Sequence, residues 1–214
     1  MRETGNVLNR KYHHGDLSRA LVDAARRILE AEGPAALSLR AVAREAGVSP
    51  AAPYHHFKDK CELVDAVSHQ GWEALGETIA KARARARTPQ LATIDIGVAY
   101  VKFALHNPAL YRLMYDGIRD REAMPAHAKE ADSGYRQVEE AIIEAGVDGS
   151  DPVAVQLATV AVWCAAHGVA EMAGMKQFDP LKEALGGEDA FIRALLEHVG
   201  VHRHHGHRAA LTTA

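Results

Sequence analysis

The sequence predicts an all-α protein of about nine helices: an N-terminal three-helix head of helix-turn-helix type, joined by a long helix to a C-terminal helical bundle. Three observations predict it. Of 214 residues 48% are apolar, only eight are proline, and runs of β-branched residues are short, which disfavours strands. Apolar residues recur at helical spacing along most of the chain. Gly33-Pro34, Thr88-Pro89, Asn107-Pro108 and the loop 149–152 punctuate those stretches as helix boundaries.

Residues 38–57, SLRAVAREAGVSPAAPYHHF, shape the head. Ser38 can cap a first helix, with Leu37 and Val42 placed as a hydrophobic staple. Leu39, Val42, Ala43 and Ala46 give that helix one narrow apolar face. Gly47 follows, where a left-handed backbone is cheap, and stops the helix. Ser49-Pro50 opens a second helix, with a capping hydroxyl and a proline where its missing N–H does no harm. Small Ala43 and Gly47 let the two helices cross closely, with Val48 plugging the angle. Helix, glycine turn, helix is the shape of a motif whose second helix enters the DNA major groove.

Residues 1–11 read as a polar arm ending in Arg10-Lys11. Such an arm can reach a minor groove or touch phosphates, and a frayed terminus has the same composition. A first helix over about residues 16–32 packs through Leu17, Leu21, Ala24, Ile28 and Leu29. In the second motif helix Ser49, Pro50, Ala51 and Ala52 are small and mostly apolar. Arg, Asn and Gln, which pair with base edges, are absent from it. Readout therefore leans on thymine methyl contacts, on the arm and on DNA shape. Pro53 deletes an early backbone bond and marks a tight or 3₁₀-like first turn. Tyr54, His55 and Lys60 are assigned to phosphates, which set register, and Arg40 is placed to reach DNA as well. Tyr54 could instead be a core aromatic; Phe57 is core; His56 is open between surface and packing.

The run Tyr-His-His-Gly-Asp-Leu at 12–17, then SLRAVAREAGVS, then Tyr54-His55-His56-Phe57 with Lys60 and Leu63, resembles the tetracycline-repressor (TetR/AcrR) family of bacterial regulators. The likeness is dense over about the first 75 residues. Beyond them Trp163, His167 and Gly168 are similar to a Trp-His-Gly signature of one regulator branch. The resemblance implies an arm at 1–11, a DNA-binding domain at 12–59, a connecting helix at 60–87, an effector-binding and dimerisation domain at 88–201 and a tail at 202–214. It implies that Tyr54, His55 and Lys60 match positions that commonly touch the DNA backbone. Pro53 stands where other members carry residues able to touch bases. It also implies that the last two long helices pair with the same two of a second subunit, so Val160, Ala161, Leu195 and Leu196 are expected in a homodimer interface.

Asp59 to Glu62 has the form of a capping box opening the connecting helix, a natural phosphate seat with Lys60. Cys61, in the same turn, is either an inert small residue or a redox-sensitive thiol. Leu63, Val67, Leu75 and Ile79 form the helix's apolar stripe. Lys81, Arg83, Arg85 and Arg87 alternate every second residue, so they cannot share one helical face and read as a solvated helix end rather than a second nucleic-acid patch.

Helices are expected over 91–105, around 110–115, over 127–144, over 152–170 and over 188–199, with a polar segment at 116–126. Residues 152–170 carry no charge, long enough for a membrane span; Gln156, Thr159, His167 and charged neighbouring helices argue instead for a helix buried on most faces, between an inner core and a partner. Trp163 and His167 lie four apart on one face. They belong either to a packed core or to an apolar effector pocket completed by Phe103, Tyr111, Met114 and Tyr115. Histidines 198, 202, 204, 205 and 207 could bind zinc, nickel or copper, but without an acidic or thiolate partner at fixed spacing they read as a disordered tail, and no metal site is expected.

Charge divides unevenly. Residues 1–60 hold ten Lys/Arg against seven Asp/Glu, and the rest fifteen against twenty-one, a basic head on an acidic body. Two distant cysteines and an N-terminus without an apolar stretch suggest a soluble, cytoplasmic protein without a disulfide framework. No nucleophile has a base at motif spacing and no phosphate loop occurs, so enzymes, including a small one built around His167, are disfavoured, and no cofactor is expected. A DNA-packaging protein would be far more basic. What remains is a homodimeric regulator, expected to be a repressor released from a double-stranded, near-palindromic operator by an apolar small molecule, its two heads about 34–36 Å apart. An activator, or a regulator without effector, is the alternative.

Overall fold

The computed structural model describes residues 14–119 and 128–199, and every regular element among them is helical. The chain divides into two compact units, the first ending at Val67 and the second beginning at Ser68.

In the first unit α1 (His14–Glu32) buries Leu21, Ala24, Ile28 and Leu29 of the expected stripe, with Ala25 beside them, while Leu17 is half-buried. A single 3₁₀ turn (Pro34–Ala36) leads to α2 (Leu39–Glu45). The Ser38 side chain accepts a hydrogen bond from Ala41 N at 3.1 Å, as its sequence position predicts. At the other end Val48 N donates to Ala43 O and Gly47 N to Arg44 O, closing a Schellman motif. Gly47 has φ +69°, a conformation that a side chain would strain. Leu37, Leu39, Val42 and Phe57 are buried around this corner.

The second motif helix departs from expectation. No α-helix runs over 50–57; the chain makes a four-residue 3₁₀ turn, Ala52–His55. Its bonds run from Ala52 N to Ser49 O, Tyr54 N to Ala51 O and His56 N to Pro53 O, all of i→i+3 type. The expected Ser49 cap is replaced by Ala51 in the cap position, without a side-chain hydrogen bond. The physical reason is Pro53, which lacks an N–H and is itself buried against the motif's interior. The unit closes with the start of α3 (Lys60–Arg85). Asp59 Oδ1 caps Glu62 N at 2.9 Å, while the Glu62 carboxylate reaches back one residue further than in a standard box, to Lys58 N at 2.7 Å.

In the second unit the remainder of α3 buries Trp72, Leu75 and Ile79. It is joined by α4 (Pro89–His106), α5 (Pro108–Arg119), α6 (Ala128–Glu144), α7 (Pro152–Ala173), α8 (Asp179–Leu185) and α9 (Glu188–His198). Thr88 and Asp151 cap α4 and α7, each followed by proline in the first turn. The expected polar segment at 116–126 is helical as far as Arg119; its remainder, to Ala126, lies outside the described residues. Short α8 was not anticipated, so nine α-helices are described, with α8 standing in number for the motif helix that became a 3₁₀ turn.

α4 forms the centre, with Ile94, Ile96, Tyr100 and Val101 buried. α9 docks on it through Phe191, Ile192 and Leu196, and through ion pairs Arg193–Asp95 at 2.6 Å and Lys102–Asp189 at 2.7 Å. A Cβ added at Gly97 would lie 3.0 Å from Leu196 Cδ1, so the close approach of α9 depends on that glycine. Lys81, Arg85 and Arg87 are exposed, as expected of a solvated helix end, but Arg83 is not. Its side chain is only 18% exposed and bonds Glu140, Glu144 and Gln137 of α6, whereas Lys81 pairs with its own-helix neighbour Glu77.

Candidate functional site

The outer surface of the helix-turn-helix is small and weakly polar. Ser49, Pro50, Ala51 and His55 are exposed, and Ala52 is half-buried. Tyr54 is 54% exposed, so it is no core aromatic, while Phe57 is buried and His56 half-buried beside it. Arg40 is exposed on the first turn of α2. The Lys60 ammonium donates to the Pro34 carbonyl at 3.1 Å, a neutral partner that takes one of its three donors. The positive charge therefore remains uncompensated by that bond. Arg10 and Lys11 lie outside the described residues. Cys61 is exposed in the first turn of α3.

A second arrangement lies inside the other unit. Tyr100 on α4 is its hub: the hydroxyl is 3.1 Å from that of Tyr111, 2.6 Å from that of Tyr115 and 3.3 Å from His167 Nδ1. Tyr111 Oη lies 2.5 Å from the same Nδ1. With the imidazole proton on Nε2, Tyr115 donates to Tyr100, Tyr100 to Tyr111 and Tyr111 to Nδ1, so every hydroxyl is satisfied in one chain. Rings wall the chain. Trp72 and Trp163 stack at 6.3 Å between centroids, Tyr100 meets Trp163 edge-on at 5.5 Å, and Tyr135 lies 6.4 Å from Trp163.

Burial raises the pKa of all three clustered tyrosines by penalising the phenolate. Tyr111 is pushed up to about 12, with Glu171 adding to the burial effect. Tyr100 and Tyr115 are raised further, Tyr100 by burial and then by its two tyrosine neighbours. Burial also raises Tyr135, helped by Glu139. All four stay neutral hydrogen-bonding groups at physiological pH.

Four of the six residues expected around a pocket, Tyr111, Tyr115, Trp163 and His167, are thus brought together. Met114 is fully buried beside Gly71, and Phe103 is buried three residues from Tyr100. Tyr100, Trp72 and Tyr135 were missed. A hydroxyl-bearing aromatic within the otherwise apolar run 96–101 was the signal for Tyr100, since a buried phenol must find a partner.

On α7 one side buries Val155, Ala158, Thr159, Val162 and Ala166. Thr159 satisfies its hydroxyl on Val155 O at 2.8 Å. The other side, the one expected to lie against a partner, is exposed in the single chain: Val153, Leu157, Val160, Ala161, Cys164 and Gly168 form a stripe. Val160 and Ala161 therefore face solvent and Leu195 is half-buried, but Leu196 is 1% exposed and belongs to the subunit's own core. Among the described residues no His, Cys, Asp and Glu cluster could hold a metal. His198 bonds Ala194 O, and the tail histidines lie outside the described residues.

Two family models match: "Bacterial regulatory proteins, tetR family" over residues 21–67, and "Tetracyclin repressor-like, C-terminal domain" over residues 94–199. Among solved structures, a protein of unknown function from Rhodococcus sp. RHA1 is 29% identical, with 89% of this chain and 97% of that one covered and a TM-score of 0.74. A TetR family transcription regulator from Marinobacter aquaeolei VT8 is 17% identical, with coverage of 85% and 92% and a TM-score of 0.63. PfmR, a TetR family transcriptional regulator from Thermus thermophilus, is 22% identical, with coverage of 84% and 96% and a TM-score of 0.58.

Proposed function

The chain belongs to the tetR family of bacterial regulatory proteins and is a DNA-binding transcriptional regulator, and we propose that it acts as a cytoplasmic homodimeric repressor released from a near-palindromic operator by a small molecule. The observation that carries the proposal is the exposed apolar stripe of α7. Val153 and Leu157 are 65% and 67% exposed on a helix whose opposite side is core, and a second copy would cover both. The stripe continues at the far end of the helix with Met172, which is 40% exposed. A C2 pair carries two heads, which is what an inverted-repeat operator requires.

On this reading the heads bind through Tyr54, His55, Lys60 and Arg40 on phosphates, with Ser49 to Ala52 toward the bases. The Tyr100–Tyr111–Tyr115–His167 cluster supports an effector site nearby. It offers aromatic walls and a few hydrogen-bonding groups, which suits a largely apolar ligand. An effector with higher affinity for the operator-incompetent state lowers operator affinity by the ratio of its two affinities. Selection of genomic fragments by purified protein, followed by sedimentation of the complex, tests the proposal. An inverted repeat bound by two chains is expected; a tight complex with one chain would overturn it.

A further inference from the structure

We infer that the head recognises its half-sites chiefly through thymine methyl groups packed on Pro50 and Ala51 beside the Tyr54 ring, with little help from hydrogen bonds to base edges. The inference rests on the reading of this motif as the major-groove element. Pro53 sets the geometry. Because that residue is buried and enforces a 3₁₀ turn, side chains three apart eclipse, so Tyr54 stands over Ala51, whose carbonyl its own N–H bonds at 3.2 Å. Ser49, Pro50, Ala51, Tyr54 and His55 are what the turn exposes.

No Arg, Lys, Asn or Gln occurs over residues 48–57, so the paired donor–acceptor contacts that single out guanine or adenine have no source there. Ser49 and His55 can offer only single bonds, which discriminate weakly. Arg40 and Arg44 are exposed, but they belong to α2, the element that crosses the backbone in this motif. The proline ring, the alanine methyl and the tyrosine ring edge remain, and the major-groove partner of such surfaces is the C5 methyl of thymine.

Uracil tests this directly, because it keeps the hydrogen-bonding edge of thymine and lacks only the methyl. With an operator obtained by selection, each thymine is replaced by uracil in turn, and each guanine separately by 7-deazaguanine, which lacks the N7 acceptor. One or two thymine positions per half-site should each lose about fourfold in affinity, the value of one buried methyl group. The 7-deazaguanine duplexes should bind within about twofold of the parent. Ala51→Ser, which sets a hydroxyl against the methyl, should lower the thymine-to-uracil ratio at those positions. Pro50→Ala, which keeps a small side chain, should reduce the ratio in part. An operator indifferent to uracil at every position, with a loss of tenfold or more on 7-deazaguanine, would overturn the inference alone. If no duplex is selected at all, the operator proposal and this inference fall together.

Discussion

The Tyr111 hydroxyl and Nδ1 of His167 lie 2.5 Å apart, so a buried phenol and an imidazole satisfy one another within an aromatic wall. The contact joins α5 to α7, and Tyr100 on α4 completes it from a third helix. Such a hydroxyl chain holds only while its members remain neutral. Its stability is therefore tied to pH.

The unfolded Tyr111 phenol has a pKa near 10 and the folded one about 12. A raised pKa means that the folded state disfavours the phenolate. Its contribution is fully present below pH 10 and is lost as pH rises through about 12. Phenolate absorbance and helical circular dichroism, followed together on raising pH, should show part of the phenolate signal appearing only as helix is lost. All phenolate forming with the helix intact would mean that water reaches the cluster. Tyr111→Phe should reduce the alkaline loss and lower stability at neutral pH by about 1–3 kcal/mol, because His167 Nδ1 loses its closest partner.

Arg83 links α3 to α6 through two carboxylates and Gln137. Its partners are about half exposed, so solvent screens much of the attraction. Arg83→Ala should lower stability by about 1–2 kcal/mol in urea unfolding, and less in high salt. Arg85→Ala and Arg87→Ala should stay within about 0.5 kcal/mol of wild type. Equal effects at all three positions would restore the view of the run as one undifferentiated charged end.

Where a feature is set by neighbours in the chain, it could be read in advance. Ser38 caps as expected, and Thr88 and Asp151 start helices at the boundaries expected there, because each acts on an N–H two or three residues away. Gly47 ends α2 for an equally local reason. Pro53 advertised a tight first turn, yet the loss of the whole α-helix depended on the proline being buried, which is a tertiary fact. Arg83 was hidden because the period-two argument treats four residues as equals, while only one meets α6. The periodicity of α4 marks Tyr100 and Phe103 both as interior and does not say which one faces α5 and α7. Seven-residue α8 is too short for its period to register.

For the head, Lys60→Ala should weaken binding to operator and random duplex alike and reduce the slope of log affinity against log salt by about one unit. Loss of the Pro34 contact, a single exposed bond, should leave folding nearly unchanged. Tyr54→Phe should weaken both duplexes equally, because it deletes a phosphate-directed hydroxyl and keeps the ring. A change in sequence preference with an unaltered salt slope would move Lys60 from the phosphates to the bases.

The assembly prediction separates two leucines that sequence alone could not rank. Leu157 is 67% exposed on α7, whereas Leu196 on α9 is 1% exposed and packs against Gly97. A carboxylate at position 157 meets water in a monomer and apolar surface in a dimer built on the stripe. Leu157→Glu should therefore yield folded monomers with near-normal helical content and weak operator binding. At position 196 the same change buries a charge in the subunit's own core, where its cost is several kcal/mol whether or not a partner is present. Leu196→Glu should unfold the chain or leave it insoluble. Sedimentation and circular dichroism on both variants check the pair. A Leu157→Glu protein that stays dimeric with unchanged operator affinity would remove α7 from the interface and leave its exposed stripe without a partner in the homodimer.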